Sequence, residues 1–356
     1  MNKFKSLIIN PGSTSTKIAI FEDENEIYSK TIRHDTDELI EYTSVFSQYQ
    51  FRKKTIIDAL IEEKFDMNSL DVIIGRGGML RPLEGGVYTV NAKMLKDLES
   101  GEYGEHASSL GAKLALEIGD PLRIPSYIVD PVVVDELEEI ARISGIPEIK
   151  RKSIFHALNQ KAVARKAAKE LGSTYENLNF VVAHLGGGIS VGAHEKGRVI
   201  DVNNAVDGEG SFSPERSGGV PVGSVVKLCY AGKYTYNEMK KKITGKGGLL
   251  AYLGTSDGRE VEKRIESGDE NAGLIYEAMA YQTAKEIGAY ATVLKGKVDA
   301  IILTGGLLYD KNIKKWIVER IDFIAPIIVY PGEDEMAALA EGGLRILRGE
   351  EKPILY

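Results

Sequence analysis

The sequence predicts an α/β protein built from two related halves, each led by a three-stranded meander. Short β-branched apolar runs alternate with longer helical patterns along the 356 residues, the signature of mixed sheet-and-helix layers. The stretch "SLIINPGSTSTKIAIFED" (6–23) reads as strand, tight turn, strand, with a third run at 26–32. The stretch "NFVVAHLGGGISVGAHEKGRVIDVNN" (179–204) repeats that grammar: apolar run, glycine-rich turn, apolar run, charged turn, third run. Val181-Val182-Ala183-His184 parallels Leu7-Ile8-Ile9-Asn10. This is duplication at the level of the fold, not a short-period repeat. Two such halves predict a cleft between them, where ligands prefer to bind.

The elements follow in order. After the first meander comes a helix-rich stretch over 36–64, and then "DVIIGRGG" (71–78), a buried strand ending in a glycine turn. A helix over 106–118, the strand "SYIVD" (126–130) and a helix over 133–143 precede "SGIPEIKRK", a boundary candidate rich in Gly, Pro and Lys. The second half opens with a helix from residue 156, stopped by Gly172 as a C-cap. Beyond the second meander lie a long helix near 270–294, a strand at 300–306, a helix at 310–321, a strand at 327–330 and a last helix at 334–347.

Composition narrows the function. The hydrophobic content of 43% and charged content of 27% are those of an ordinary soluble protein with a sizeable core. A net charge of −7 argues against sequence-independent nucleic-acid binding, while leaving room for a local arginine cluster on an anionic substrate. One cysteine, Cys229, excludes an intrachain disulfide framework and is expected to be a small buried apolar residue. No apolar run is long enough to span a membrane, and the first run is broken at once by Pro11-Gly12, unlike a signal peptide. A cytoplasmic enzyme is expected.

No G-x-G-x-x-G, Walker A, H-E-x-x-H or Cys/His metal cluster is present. Three strand ends instead carry compact Gly or hydroxyl clusters: "NPGSTST" (10–16), "HLGGG" (184–188) and "TGG" (304–306). Consecutive N–H groups in such turns can cradle an anion, and glycine lets a phosphate approach the backbone; a tight hairpin alone would also call for glycine. Arg76 in "IIGRGGM" and Arg216 in "DGEGSFSPERSGGVPVG" stand on glycine-rich strand-end loops, suited to clamping a carboxylate or phosphoryl group. His106, His156 and His184 lie at predicted element boundaries beside polar residues, where they either cap or join a site. Asp130 ends its strand as a cap or a functional carboxylate, and Asp257 or Ser256 caps the helix starting at "TSDGREVEKRI". Glu333, Asp334 and Glu335 open the last helix, complementing its dipole or holding Mg²⁺.

Taken in order, "INPGSTSTK", "GRGG", "VDPVVVDEL", "IFHALNQ", "HLGGG", "SPERSGG", "GTSDGRE", "ILTGG" and "EDEMAALAEG" resemble the acetate and butyrate kinase family over nearly the whole chain. That family has two duplicated ribonuclease-H-like domains of the actin-like ATPase superfamily. The resemblance is closer to the butyrate branch. After Arg216 the chain reads Ser-Gly-Gly-Val-Pro-Val-Gly, without the two aspartates of the acetate kinases, and His106-Ala-Ser replaces their His-Asn-Pro. A longer or branched acyl chain is therefore favoured over acetate.

The resemblance implies ATP/ADP and Mg²⁺ as reaction partners, and a short-chain fatty acid converted reversibly to its acyl phosphate. It implies a homo-oligomer of at least two chains, with no nucleic acid or membrane partner. Residues 1–152 with a C-terminal helix at about 333–356 would form the acyl- and metal-side domain, and 153–332 the nucleotide domain. Asn10 with Glu335, less surely Glu333, would hold the metal. Arg76, His106 and Arg216 would bind the acyl substrate, and Asn10, Arg76, Asp130, His156 and Arg216 would serve catalysis. Ser13, Thr14, Lys17, His184, Gly186, Gly187, Gly188, Asp257, Gly258, Arg259, Gly305 and Gly306 would bind the nucleotide. Alternatives on the same fold are an acetate or propionate kinase, a sugar or other hydroxyl kinase, and a chaperone or sugar-responsive regulator. The last would usually carry a basic helix-turn-helix, absent before the first strand.

Overall fold

β1 (Lys5–Pro11), β2 (Ser15–Glu22) and β3 (Asn25–Arg33) form the expected antiparallel meander. The structure is a computed structural model, and it describes residues 3–356. Asn10 pairs with Lys17 and Pro11 with Thr16. The turn between them is closed by the Gly12 N–H donating to the Ser15 carbonyl at 2.7 Å. α1 (Thr36–Ile40) and α2 (Tyr49–Glu62) follow. β4 (Val72–Arg76) lies parallel to β1. β5 (Val87–Thr89) and α3 (Ala92–Ser100) are elements the sequence patterns did not signal. α4 (Leu110–Gly119) packs on β4 through glycine against glycine. A Cβ on Gly75 would lie 2.1 Å from the Gly111 carbonyl oxygen, so neither position accepts a side chain. β6 (Ser126–Val129) extends the sheet parallel to β4.

The helix expected over 133–143 does not form; only a short 3₁₀ turn at Glu139–Arg142 is present. Side chains and tertiary partners claim this backbone instead. The Asp135 carboxylate accepts from the Leu137 N–H and from Arg142, and the Glu138 N–H donates to the Ile200 carbonyl at 2.9 Å. Such local acceptors compete with the helical ladder. Glu136 is buried against Lys161 with Nζ to oxygen distances of 3.0 and 2.9 Å, and also accepts from the Val199 N–H. These ties place Asp135 onward with the second unit. The chain divides into Met1–Val134 with Asp334–Tyr356, and Asp135–Glu333, so the crossing falls earlier than the expected 152/153.

The second unit opens with α5 (Ala157–Glu170), ended by Gly172 at φ +69°. Its meander is β7 (Asn179–Leu185), β8 (Ile189–Glu195) and β9 (Arg198–Val202). Then come α6 (Val222–Tyr230), α7 (Tyr236–Ile243) and α8 (Gly248–Leu253), none of which the patterns signalled. α9 (Gly258–Glu266), α10 (Glu270–Val293), β10 (Ala300–Gly305), α11 (Lys311–Ile321) and β11 (Ile327–Pro331) complete the unit. The chain then returns to the first unit as α12 (Glu335–Leu347) and β12 (Ile354–Leu355), the latter pairing with β5.

The duplication is visible in topology. The first sheet contains the order β6-β4-β1-β2-β3, with β12 and β5 at its edge, and the second reads β11-β10-β7-β8-β9. In both, three parallel strands lead into an antiparallel meander. Both meanders shift register in the second strand, at Ile20/Phe21 and at Ala193/His194. Each sheet buries its own core, with Leu7, Ile9, Ile73 and Ile128 in one and Val181, Ala183, Ile301 and Leu303 in the other.

Cys229 corrects the expectation of a buried thiol. It is exposed on α6, a helix with no buried residue, which also exposes Val222, Val226, Leu228 and Tyr230. Among the described residues, no helix is long and apolar enough to cross a membrane.

Candidate active site

Parallel pairing of β1 with β4 brings Asn10 and Arg76 to the same end of the first sheet. α12 delivers Glu335 to them. The Arg76 guanidinium pairs with one Glu335 oxygen, and the Asn10 amide donates to the other at 2.8 Å. The acidic first turn thus divides its work. Asp334 caps α12 by accepting from the Ala337 N–H at 2.9 Å, and Glu335 turns into the cluster. His106 sits before α4, its Nδ1 accepting from the Ser108 N–H at 3.2 Å. Burial and the Arg76 charge hold its pKa below the ordinary 6.5, against an opposing pull from Glu335. Asp130, 1% exposed, ends β6 at φ +36° and accepts from the Gly86 N–H at 2.7 Å. It fastens a strained turn.

Ser13 and Thr14 are exposed at the tip of the first hairpin, and Lys17 is exposed on β2 opposite Asn10. Beneath them lies Arg52, fully buried. Its guanidinium donates to the carbonyls of Gly12, Ser13 and Ser15 at 2.8, 2.9 and 3.0 Å, to Thr16 Oγ1 at 3.1 Å, and to Gln48 Oε1. Among the described residues, no carboxylate pairs with it. Burial lowers its pKa only to about 10, so it stays charged at neutral pH. Thr16 Oγ1, which accepts from Arg52, also lies within hydrogen-bond distance of His34 Nε2 at 2.8 Å.

The second unit gathers His156, His184, Arg216 and the triglycine turn. The His156 and His184 rings stack at 3.8 Å and 15°. His184 Nδ1 meets Asn159 Oδ1 at 2.8 Å, and its Nε2 lies 3.3 Å from Glu333. Glu333 therefore accompanies His184, whereas Glu335 accompanies Asn10. Arg216 is packed so closely on the turn that a Cβ at Gly188 would lie 1.9 Å from its Nη1. That same nitrogen donates to the Ala205 carbonyl at 2.6 Å. Burial lowers the Arg216 pKa, with Glu215 opposing. Gly187 has nothing within 4 Å of a would-be Cβ, and neither has Gly306; both offer open backbone.

The remaining glycines join this set. At Gly305, φ is +107° and a Cβ would lie 2.2 Å from the Leu185 carbonyl oxygen, so the β10 end abuts the β7 end. A Cβ at Gly258 would meet Leu307 at 3.2 Å, which sets the α9 start beside the Gly305-Gly306 turn. Asp257 caps α9 by accepting from the Arg259 N–H at 3.0 Å, and its carboxylate pairs with the exposed Arg259 side chain.

A sequence model described as the Acetokinase family matches residues 147–325. Over 353 residues, 99% of each chain, the sequence is 59% identical to Butyrate kinase 1 of Clostridium acetobutylicum. It is 58% identical over 354 residues, again 99% of each chain, to Butyrate kinase 2 of the same organism. The chain belongs to the acetokinase family. The fold agrees: the chain superposes on the crystal structure of Porphyromonas gingivalis acetate kinase with a TM-score of 0.79 at 20% identity, covering 97% of this chain and 100% of that one. The two α/β units thus take the acetate kinase fold.

Two buried polar residues of the chain were not singled out from the sequence. Arg52 lies in phase with Ile56, Ala59 and Leu60, the other buried residues of α2. A charged residue on an apolar helix face was the available signal. Gln160 is likewise buried on α5 in phase with Ala164, Ala167 and Ala168.

Proposed function

We propose that the chain transfers the γ-phosphoryl group of ATP to the carboxylate of butyrate, giving butyryl phosphate and ADP, and catalyses the reverse reaction. The observation that carries this reading is whole-length likeness, at 59% identity, to a butyrate kinase. Local geometry supports it. A carboxylate acceptor is already anionic and needs no strong base, so catalysis rests on positioning and on neutralising the equatorial phosphoryl oxygens. Arg76 and His106 receive the acceptor carboxylate. Arg216 and His156 stabilise the transferring group. The turns at Gly186–Gly188 and Gly305-Gly306, open at Gly187 and Gly306, take the nucleotide phosphates with His184, and Asp257 to Arg259 take the nucleoside. Asp130 orients the acyl-side turn through Gly86 instead of abstracting a proton.

Among the described residues, no cluster of three or more His, Cys, Asp or Glu forms a metal cage. That suits Mg²⁺, which binds through one or two carboxylates plus substrate phosphates and water. Glu335 with the Asn10 side-chain oxygen would hold it, Glu335 fitting better than Glu333 because it shares a cluster with Asn10. The bound ion would supply charge neutralisation on the phosphate oxygens.

Steady-state kinetics with acetate, propionate, butyrate and isobutyrate, read as coupled ADP release and hydroxamate formation, test the proposal. The highest kcat/KM is expected for a four-carbon acid. Equal or better use of acetate would overturn the substrate assignment. Turnover of a sugar hydroxyl with none for any carboxylate would move the chain to the hydroxyl kinases. We also propose self-association through exposed α6, expected as a dimer mass by light scattering; a monomer at every concentration tested would count against it.

A further inference from the structure

A chain of buried hydrogen bonds runs behind His156, and its directions can be assigned from chemistry alone. Gln160 lies within 3.0 Å of the Ser190 carbonyl oxygen through Nε2. A carbonyl only accepts, so the amide nitrogen must face it. The same nitrogen then donates to Ser190 Oγ at 2.8 Å, and Gln160 Oε1 faces His194 Nε2 at 2.9 Å. His194 therefore carries its proton on Nε2, and its Nδ1 accepts from the Tyr175 hydroxyl at 2.7 Å. Full burial, reinforced by Lys161 and Arg165, holds His194 neutral, well below the ordinary 6.5. Space for the network comes from Gly192 on β8. A Cβ there would lie 2.9 Å from Gln160 Oε1 and 3.4 Å from His194 Nε2.

Ser190 is fully buried, and its Oγ meets two partners, Gln160 Nε2 and His156 Nδ1, the latter at 2.8 Å. With Gln160 donating, the hydroxyl hydrogen has His156 Nδ1 as its acceptor. The opposite direction would strand a buried hydroxyl hydrogen, at a cost of about 1–3 kcal/mol.

We infer that Gln160, acting through Ser190, holds His156 as the neutral tautomer with its proton on Nε2, so that this edge of the ring is a hydrogen-bond donor to the transferring phosphoryl group. Gln160 and Ser190 are positioning residues. An imidazolium or an Nδ1–H ring would each need Ser190 to reverse its hydroxyl. The inference deepens the proposed function and rests on it only for the identity of the group that His156 meets; the tautomer itself needs no substrate.

The test is long-range ¹H–¹⁵N correlation on the full chain labelled with ¹⁵N-histidine, a small set of signals from five residues. In the wild type, His156 is expected with a protonated Nε2 and a bare Nδ1; an Nδ1–H ring or an imidazolium at neutral pH would overturn the proposal whatever any variant does. Ser190→Ala is expected to mix the tautomers and to lower kcat about tenfold to a hundredfold while leaving KM for ATP within about twofold, the pattern of a lost transition-state interaction. Ser190→Thr keeps the hydroxyl and is expected to restore both the spectrum and kcat. A Ser190→Ala protein with wild-type ring-nitrogen shifts and wild-type kcat would overturn the assignment. Failure of butyrate as substrate, with the predicted spectrum intact, would strike only the proposed function.

Discussion

The two hairpin turns of the duplicated sheets occupy matching places and rest on different floors. Under Gly12–Ser15 lies a buried guanidinium, Arg52, whose partners are carbonyls, a hydroxyl and an amide oxygen. Under Gly186–Gly188 lie the stacked rings of His156 and His184, and the positive charge of Arg216 is packed against the turn itself. The duplicated backbone is thus a frame, and what underlies each turn decides its chemistry. The first turn gains a fixed positive field from below, unneutralised by a carboxylate among the described residues. The second gains a directed proton at His156 and a cation held at van der Waals distance.

The comparison can be broken most severely at Arg52. Arg52→Met leaves the carbonyls of Gly12, Ser13 and Ser15 without their donor. A loss of about 3–5 kcal/mol is expected, as for a broken buried charge network, read as a lower urea midpoint. An unchanged midpoint would show that the first turn does not depend on its floor. Next in size is Arg216→Ala, for which kcat should fall about 10²–10³-fold, roughly 3–4 kcal/mol of transition-state stabilisation, with circular dichroism unchanged. Wild-type turnover would remove Arg216 from the site.

A matched pair of glycine substitutions sharpens the contrast. Gly188→Ala forces a Cβ to 1.9 Å from Arg216, whereas at Gly12 the nearest atom to a Cβ is Ser15 Oγ at 3.4 Å, an ordinary contact. Gly188→Ala should therefore cost about tenfold to a hundredfold in kcat, and adding it to Arg216→Ala should cost little more, since the two share one interaction. Gly12→Ala should stay within about twofold of wild type by the same packing argument. Equal effects at the two glycines would erase the distinction between the turns.

The smallest effect is a pH slope. Burial, and then the Arg52 charge, hold the His34 pKa at about 4, against an ordinary 6.5. Below pH 6.5 the unfolded chain takes up a proton that the folded chain refuses until about pH 4, so His34 makes stability fall as pH falls through that window. His34→Gln should flatten the melting temperature between those two values, and an identical slope in wild type and variant would refute the assignment.

Much of this was legible in the sequence for physical reasons. Short continuous apolar runs ending in glycine or polar turns mark buried strands, so both meanders and the strand ends bearing Asn10, Arg76, His184 and Gly305 could be placed. Side-chain partnerships could not. The helix expected over 133–143 gave way to Asp135 and Glu138, whose hydrogen bonds to Arg142 and Ile200 no local pattern encodes. Cys229 looked like a core residue because small thiols usually are, yet α6 turns its apolar residues outward. Glu333 and Glu335, two positions apart, were ranked only by the family resemblance; the structure sets one beside His184 and the other beside Asn10.

The first unit is assembled from both ends of the chain, and this has a consequence during synthesis. β1 and β4 emerge from the ribosome early, but Glu335 and the β12 strand that pairs with β5 are added only after the whole second unit. Domains tend to fold as they are made. The nascent first sheet must therefore wait, with Arg76 lacking its carboxylate partner, until the last helix arrives. The cluster of Asn10, Arg76 and Glu335 therefore comes together only after the second unit has been made.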